Sequence, residues 1–281
     1  MSRTKRLEAG FAGVVTGAST GIGRALAVLF AERFNARLVL SARTASTLQE
    51  TAELVVKAGG VAEIVIGDIA DRELASSLPG LCLAKYGALD LLVNNAGLAV
   101  PGPVPELTPD DWHRVFDVNF FAALHATYAA MPHFIERQAG KIVNIASIAG
   151  KVAFPGSVCY AASKFALTGM SEGMGAELAD QGIDVVTVCP GWVRSEFFEK
   201  NQVADYKNPT LIARKNDFSG WLMRSCLSIS SEECAEDILR ACQKGGPQEI
   251  VLTGPGLFAE RFHALFPGLA RALASRIPAG R

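Results

Sequence analysis

The strongest constraint on this chain is an alternation. Nearly continuous apolar runs at 11–16, 37–40, 62–66, 89–94, 141–145, 184–189 and 249–252 alternate with amphipathic stretches at 22–34, 47–57, 72–86, 110–137, 160–180 and 232–242. A strand that is apolar on both sides must be covered on both sides, and helices lying between parallel strands supply that cover. Right-handed crossovers then favour an α/β fold with a doubly wound parallel sheet, which binds ligands beyond the carboxyl ends of its strands. The sequence has no internal repeat and no linker, so a single domain is expected.

Composition narrows the functional classes. At 49% hydrophobic and 20% charged residues the chain can build a sizeable core. Its 27 basic and 28 acidic residues leave no field to attract nucleic acid, and no nucleic-acid partner is expected. No apolar run approaches the ~18 residues of a bilayer span. The short apolar stretch after the start runs into a glycine loop, so a cleaved signal peptide is not expected. Cys82, Cys159, Cys189, Cys226, Cys234 and Cys242 form no C-x-x-C pair and share no metal-ligand spacing with the four His. They read as small buried hydrophobes in a reducing, cytoplasmic setting, and no metal is expected.

Two segments fall outside the alternation. Residues 195–230 carry Phe197, Phe198, Trp221, Leu222 and Met223 after the sixth strand, a position that suits a substrate lid; the plainer reading is a surface helix pair. Residues 255–281 form an amphipathic extension. Phe258, Phe262, Leu265, Leu269 and Leu273 make a helical stripe broken by Pro267, and Arg261, Arg271, Arg276 and Arg281 outnumber Glu260. Packing on the domain or in a dimer is the preferred role for that stripe, ahead of peripheral contact with a membrane.

The candidate chemistry begins at Thr16-Gly17-Ala18-Ser19-Thr20-Gly21-Ile22-Gly23, between the first strand and the first helix. Glycines there let the backbone turn sharply and approach a pyrophosphate, to which the helix N-terminus offers unpaired N–H groups. At the end of the second strand, Ser41 and Arg43 stand where an acidic residue would bind ribose hydroxyls; an Arg accommodates a 2′-phosphate instead. NADP(H) is therefore expected ahead of NAD(H). Tyr160 and Lys164 are four residues apart on one helical face, where an ammonium would lower the phenol pKa and suit it to proton transfer. Ser147 follows an apolar strand, Asn94-Asn95-Ala96-Gly97 ends another, and Asn119 lies in the long helical stretch.

Taken in order, Thr16-Gly17-x-x-x-Gly21-Ile22-Gly23, Asn94-Asn95-Ala96-Gly97, Ser147, Tyr160-x-x-x-Lys164 and Pro190-Gly191 resemble the short-chain dehydrogenase/reductase family over about residues 11–252. The resemblance implies a seven-stranded Rossmann-type sheet in residues 1–254 and NAD(P)(H)-dependent interconversion of alcohol and carbonyl. It implies that Tyr160 is the general acid or base and that Lys164 binds the nicotinamide ribose and lowers the phenol pKa. Ser147 would hold the substrate oxygen, and Asn119 a water that links Lys164 to solvent. Gly17, Ser19, Thr20, Gly21, Ile22 and Gly23 would cradle the cofactor phosphates, with Asp68 and Ile69 near the adenine. Asn95, Ala96 and Gly97 would line the middle of the cofactor, and Pro190, Gly191, Trp192 and Val193 its nicotinamide. Ser195 stands where the family often has Thr, and Thr20 where NADP(H)-preferring members often have a basic residue.

Val152, Phe154, Val158, Trp192, Phe197, Phe198 and Trp221 are pocket candidates, and they favour a small hydrophobic ketone, aldehyde or alcohol as substrate. The leading reading is an NADPH-dependent carbonyl reductase, assembled as a homodimer or homotetramer. An NAD-dependent alcohol dehydrogenase of the same family, and a catalytically silent dinucleotide-binding regulator, are the alternatives.

Overall fold

A computed structural model describes residues 6–194 and 228–276. Seven strands form one parallel sheet: β1 (Ala12–Thr16), β2 (Arg37–Ala42), β3 (Val61–Ile66), β4 (Leu91–Asn94), β5 (Gly140–Ile145), β6 (Ile183–Pro190) and β9 (Gln248–Leu252). Their order is β3-β2-β1-β4-β5-β6-β9, so the direction of winding reverses between β1 and β4. Two further strands, β7 (Trp192–Arg194) and β8 (Ser228–Ser230), pair in parallel beside it.

Every residue of β1, β4 and β6 is buried, as strands covered on both faces must be. On one face lie α1 (Gly21–Phe34), α2 (Ala45–Lys57) and α7 (Ser231–Lys244), packed through Leu26, Phe30, Leu48 and Ile238. On the other, α3 (Arg72–Tyr86) and α5 (Ala122–Arg137) pack through Leu78, Ala126 and Phe134, and α6 (Val158–Leu178) lies against β6. This is the doubly wound Rossmann-type sheet that the alternation demands.

Local chemistry sets the helix ends. Asp71 caps α3 by accepting from the amides of Glu73 and Leu74, and Gly87 closes that helix at φ 68°. Capping boxes open α4 (Pro109–Phe116), with Thr108 and Asp111, and α7, with Ser230 and Glu233.

Three features depart from the sequence reading. The stretch expected as one helix over 110–137 is α4 and α5 joined by a π-helical turn, Asp117–Phe121, within which the Asn119 side chain bonds to the Leu98 backbone. The C-terminal stripe forms α8 (Gly254–Leu265) and α9 (Pro267–Ala274), but Phe258, Leu265, Leu269 and Leu273 are left exposed instead of packing on the domain. Gly256 is the sole buried residue of α8, and α9 buries none. Most of the expected lid lies outside the described residues; its last three residues form β8.

Cys82, Cys159, Cys189, Cys234 and Cys242 are buried unpaired thiols, and burial pushes all five above the ordinary thiol range. Cys226 lies outside the described residues.

Among the described residues one charged pair is fully enclosed. Lys141 on β5 meets Asp184 on β6, and the other carboxylate oxygen of Asp184 accepts from Gly246 N at 2.7 Å. Replacing the acid strands a buried ammonium and a backbone donor. Asp184→Ala should cost about 3–5 kcal/mol of folding free energy, read from urea midpoints against the wild type.

Candidate active site

The carboxyl edge of the sheet splits where β1 and β4 diverge. Thr16 ends β1, and its hydroxyl accepts from the amides of Asn95 at 3.0 Å and Ala96 at 3.1 Å. Asn95 answers by donating its side-chain amide to the carbonyls of Thr16 (2.9 Å) and Gly17 (3.0 Å). Gly17 adopts φ +63° and Gly21 φ +56°, the left-handed region that favours glycine. A Cβ on Gly23 would lie 2.4 Å from the Gly17 carbonyl oxygen, so the loop closes only without a side chain there.

That loop opens onto α1. Unlike α3, α4 and α7, this helix has no side-chain cap at Thr20 and no acid in its first turn. Its leading amides keep their partial positive charge, the donor set that a pyrophosphate needs. At the end of β2, Ser41 is buried and its Oγ has no partner among the described residues. Arg43 beside it is exposed, and none of the described acids pairs with it. Asp68 lies exposed after β3 and accepts from Ala70 N at 3.1 Å, while Ile69 is buried. The chain thus offers a glycine cradle, an uncapped helix end and a guanidinium with no acidic partner among the described residues, and these residues fit a dinucleotide.

The second wall comes from β5 and α6. Ser147 follows β5 and caps the 3-10 turn Ile148–Gly150 by accepting from Ala149 N at 3.1 Å. Gly150 lets that turn sit on α6, since a Cβ there would come within 2.7 Å of the Lys164 carbonyl oxygen and Thr168 Oγ1. Ser147 thereby reaches Tyr160 and hydrogen-bonds its phenol. Lys164 holds its Nζ 5.8 Å from the centre of the Tyr160 ring and donates to the Ile145 carbonyl at 2.8 Å. Its ammonium has three donors, so two remain for a ligand's hydroxyls.

The electrostatics correct one expectation. Burial pushes the Tyr160 phenol up to about 12, and the hydrogen bond from Ser147 only partly offsets it. Burial likewise brings the Lys164 ammonium down to about 8. In this state desolvation outweighs the lowering expected from the ammonium, and the phenol stays protonated at neutral pH.

Asn119 is anchored by its side chain. Its amide donates to the Leu98 carbonyl at 2.9 Å and to Ser163 Oγ at 2.8 Å, while its oxygen accepts from Leu98 N at 2.7 Å. Both of its N–H donors are committed. It fastens the strand exit after Gly97 to α6. Beneath the site runs a buried polar chain that sequence reasoning missed. Asn94 donates to Thr127 Oγ1 (3.1 Å) and Asn144 Oδ1 (2.8 Å), and Asn144 donates to Ser171 Oγ (2.8 Å). Its one visible signal is Asn144, a polar residue interrupting an apolar strand.

Pro190 ends β6 and Gly191 follows it, its amide bonded to the Leu252 carbonyl at 3.0 Å. Val193 is buried on β7, whereas Trp192 is exposed. Val152 is half-buried, and Phe154 is exposed on the loop before α6, where Val158 opens the helix. Ser195, Phe197, Phe198 and Trp221 lie outside the described residues.

Residues 12–205 match the family model described as short chain dehydrogenase. An uncharacterized oxidoreductase of Listeria monocytogenes is 34% identical over 188 residues, which is 66% of this chain and 75% of that one. A solved short-chain dehydrogenase from Streptomyces avermitilis superposes with a TM-score of 0.79 at 30% identity, over 96% of both chains. A protein provisionally assigned as an NAD(P)-dependent gluconate 5-dehydrogenase from Beutenbergia cavernae, solved with NADP at low occupancy, gives a TM-score of 0.76 at 28% identity. That superposition covers 89% of this chain and 98% of that one.

The three bonds of Asn119 yield a test. Asn119→Ala leaves the buried amide and carbonyl of Leu98 unpaired, so the variant should lose about 2–4 kcal/mol of stability in urea unfolding.

Proposed function

Because the chain belongs to the short-chain dehydrogenase/reductase family, we propose that it reduces a small hydrophobic ketone or aldehyde with NADPH, and oxidises the alcohol in reverse. Its membership makes it an oxidoreductase acting on alcohol/carbonyl pairs with NAD(P)(H). The observation that carries the finer reading is the meeting of Ser147, Tyr160 and Lys164 on one wall of the cleft, facing the glycine loop's edge of the sheet.

When bound, the nicotinamide supplies the hydride that reduces the carbonyl carbon. The protein's share is placement and proton delivery. Ser147 donates a hydrogen bond to the substrate oxygen and stabilises the charge that develops there. Tyr160 gives its phenolic proton to the same oxygen. Its raised pKa keeps that proton in place at neutral pH, which suits an acid in the reductive direction. Lys164 turns its two remaining donors to the ribose hydroxyls, and its charge eases formation of the phenolate once the proton has left. Asn119 acts as a positioning residue: through Ser163 it fixes the register of α6, and so of Tyr160 and Lys164.

Gly17, Ser19, Thr20, Gly21, Ile22 and Gly23 hold the phosphates in this reading, and Ser41 and Arg43 face the adenosine ribose. Arg43 is the basis of the NADP(H) preference, since its fork pairs with a 2′-phosphate. Asp68, Ile69, Asn95, Ala96, Gly97, Pro190, Gly191 and Val193 line the rest of the cofactor's path, with Ser195 next along the chain. Val152, Phe154, Trp192 and Phe197 face the substrate. Exposed Phe121, Tyr128 and Ile135 on and beside α5, and Phe165 on α6, support a homo-oligomer. The unpaired thiols support residence in a reducing cytoplasm.

Two variants test the reading. Tyr160→Phe keeps the ring and removes the transferable proton, so turnover should fall ~100-fold or more while NADPH still binds, as followed by cofactor fluorescence. Arg43→Ala should weaken NADPH about tenfold or more and leave NADH nearly unchanged; equal losses in a titration of both would rule out the 2′-phosphate contact.

A further inference from the structure

The last two helices turn the wrong side outward for a chain that packs on itself. In α8 the residues with most contact to the body are Gly256, Ala259, Glu260, Phe262 and His263, while Leu257, Phe258 and Leu265 face solvent. Phe258 is 71% exposed and Leu265 72%. In α9, Leu269 and Leu273 are again exposed, and Phe266 between the helices is 55% exposed. Phe262 links the two halves, its ring stacked on Phe258 at 6.0 Å and tilted against Phe266 at 5.7 Å. Helices of 12 and 8 residues gain little from propensity alone and need a buried face. Here the apolar face is the one left uncovered.

Charge decides what can cover it. The described part of this segment, residues 254–276, holds Arg261, Arg271 and Arg276 against Glu260 alone, in a chain whose net charge is -1. All three arginines are exposed. On a helical wheel Arg261 falls among Leu257, Phe258 and Leu265, whereas Arg271 lies opposite Leu269 and Arg276 follows the end of α9. A second copy laid face to face would set the Arg261 guanidinium groups against their own kind. An anionic lipid surface would meet them with phosphates while taking Phe258, Leu265, Phe266 and Leu269 below its headgroups, the guanidiniums reaching back to the interface. No helix among the described residues is long and apolar enough to cross a membrane, so the contact is a surface one.

We propose that α8 and α9 form a docking face for anionic membrane lipid, carried by the outward apolar residues and their flanking arginines. The site would hold the enzyme at the interface where apolar carbonyl compounds partition.

Flotation of the full chain with vesicles tests this directly. Vesicles of phosphatidylcholine with about 30% phosphatidylglycerol should carry up about tenfold more protein than phosphatidylcholine alone. The double variant Phe258→Asp, Leu269→Asp should stay at the bottom, and Arg261→Glu with Arg276→Glu should lose the preference for anionic vesicles. Both should keep the wild-type melting temperature, because neither removes a buried side chain. Absence of the wild type from the anionic fraction overturns the proposal, as does equal binding to both vesicle types. A double variant whose mass by light scattering drops to half that of the wild type shows the face to be an interface between copies, and that too overturns it.

Discussion

The cleft exists because the Thr16 hydroxyl and the Asn95 amide tie two diverging strands together. In a doubly wound sheet the chain leaves β1 and β4 in opposite directions, and the gap between them is where backbone groups lose their neighbours. The Thr16 hydroxyl takes two amides from the β4 exit, and Asn95 returns two bonds to the β1 exit. Four hydrogen bonds thus fix the floor of the cleft without a side chain protruding into it. The bare glycine loop can then lie close to whatever binds, and the free amides of α1 point the same way.

A division of labour follows from burial. The Thr16–Asn95 side is made of backbone and neutral amides, whereas the β5–α6 side carries a buried phenol and a buried ammonium. Neither of these has a carboxylate partner among the described residues. Desolvation therefore rules both titrations, raising the phenol and lowering the amine. A phenol held this way keeps its proton at neutral pH. The polar chain from Asn94 through Asn144 to Ser171 ties the strands beneath to α6.

Most of the sheet was legible in the sequence, because strands buried on both faces leave continuous apolar runs. Arg37–Ala42 and Val61–Ile66, for example, lie within one or two residues of the runs at 37–40 and 62–66. The interruption at Asp117–Phe121 was not legible: apolar residues continue through Val118, Phe120 and Ala122, and the bulge is visible only in three dimensions. The short strands β7 and β8 were hidden for the same reason, since they are defined by pairing across a long sequence gap. In the site, the glycines, Ser147, Tyr160 and Lys164 announce themselves by spacing. Gly150 and Ser163 do not, although one allows the turn to approach α6 and the other receives Asn119. The pKa expectation failed because spacing reports which charges are near and says nothing of how much water has been removed.

The pairing of β7 with β8 reaches beyond the cleft. Trp192 to Arg194 run alongside Ser228 to Ser230, and the Arg194 guanidinium grips the Ser228 carbonyl at 2.9 Å and its hydroxyl at 3.0 Å. The stretch of sequence between them is therefore clamped at its two roots, outside the main sheet. Closing a loop on fixed roots costs only about 0.6 kcal/mol more for each doubling of its length. Insertions or deletions between Arg194 and Ser228 therefore cost little as long as those two roots stay paired.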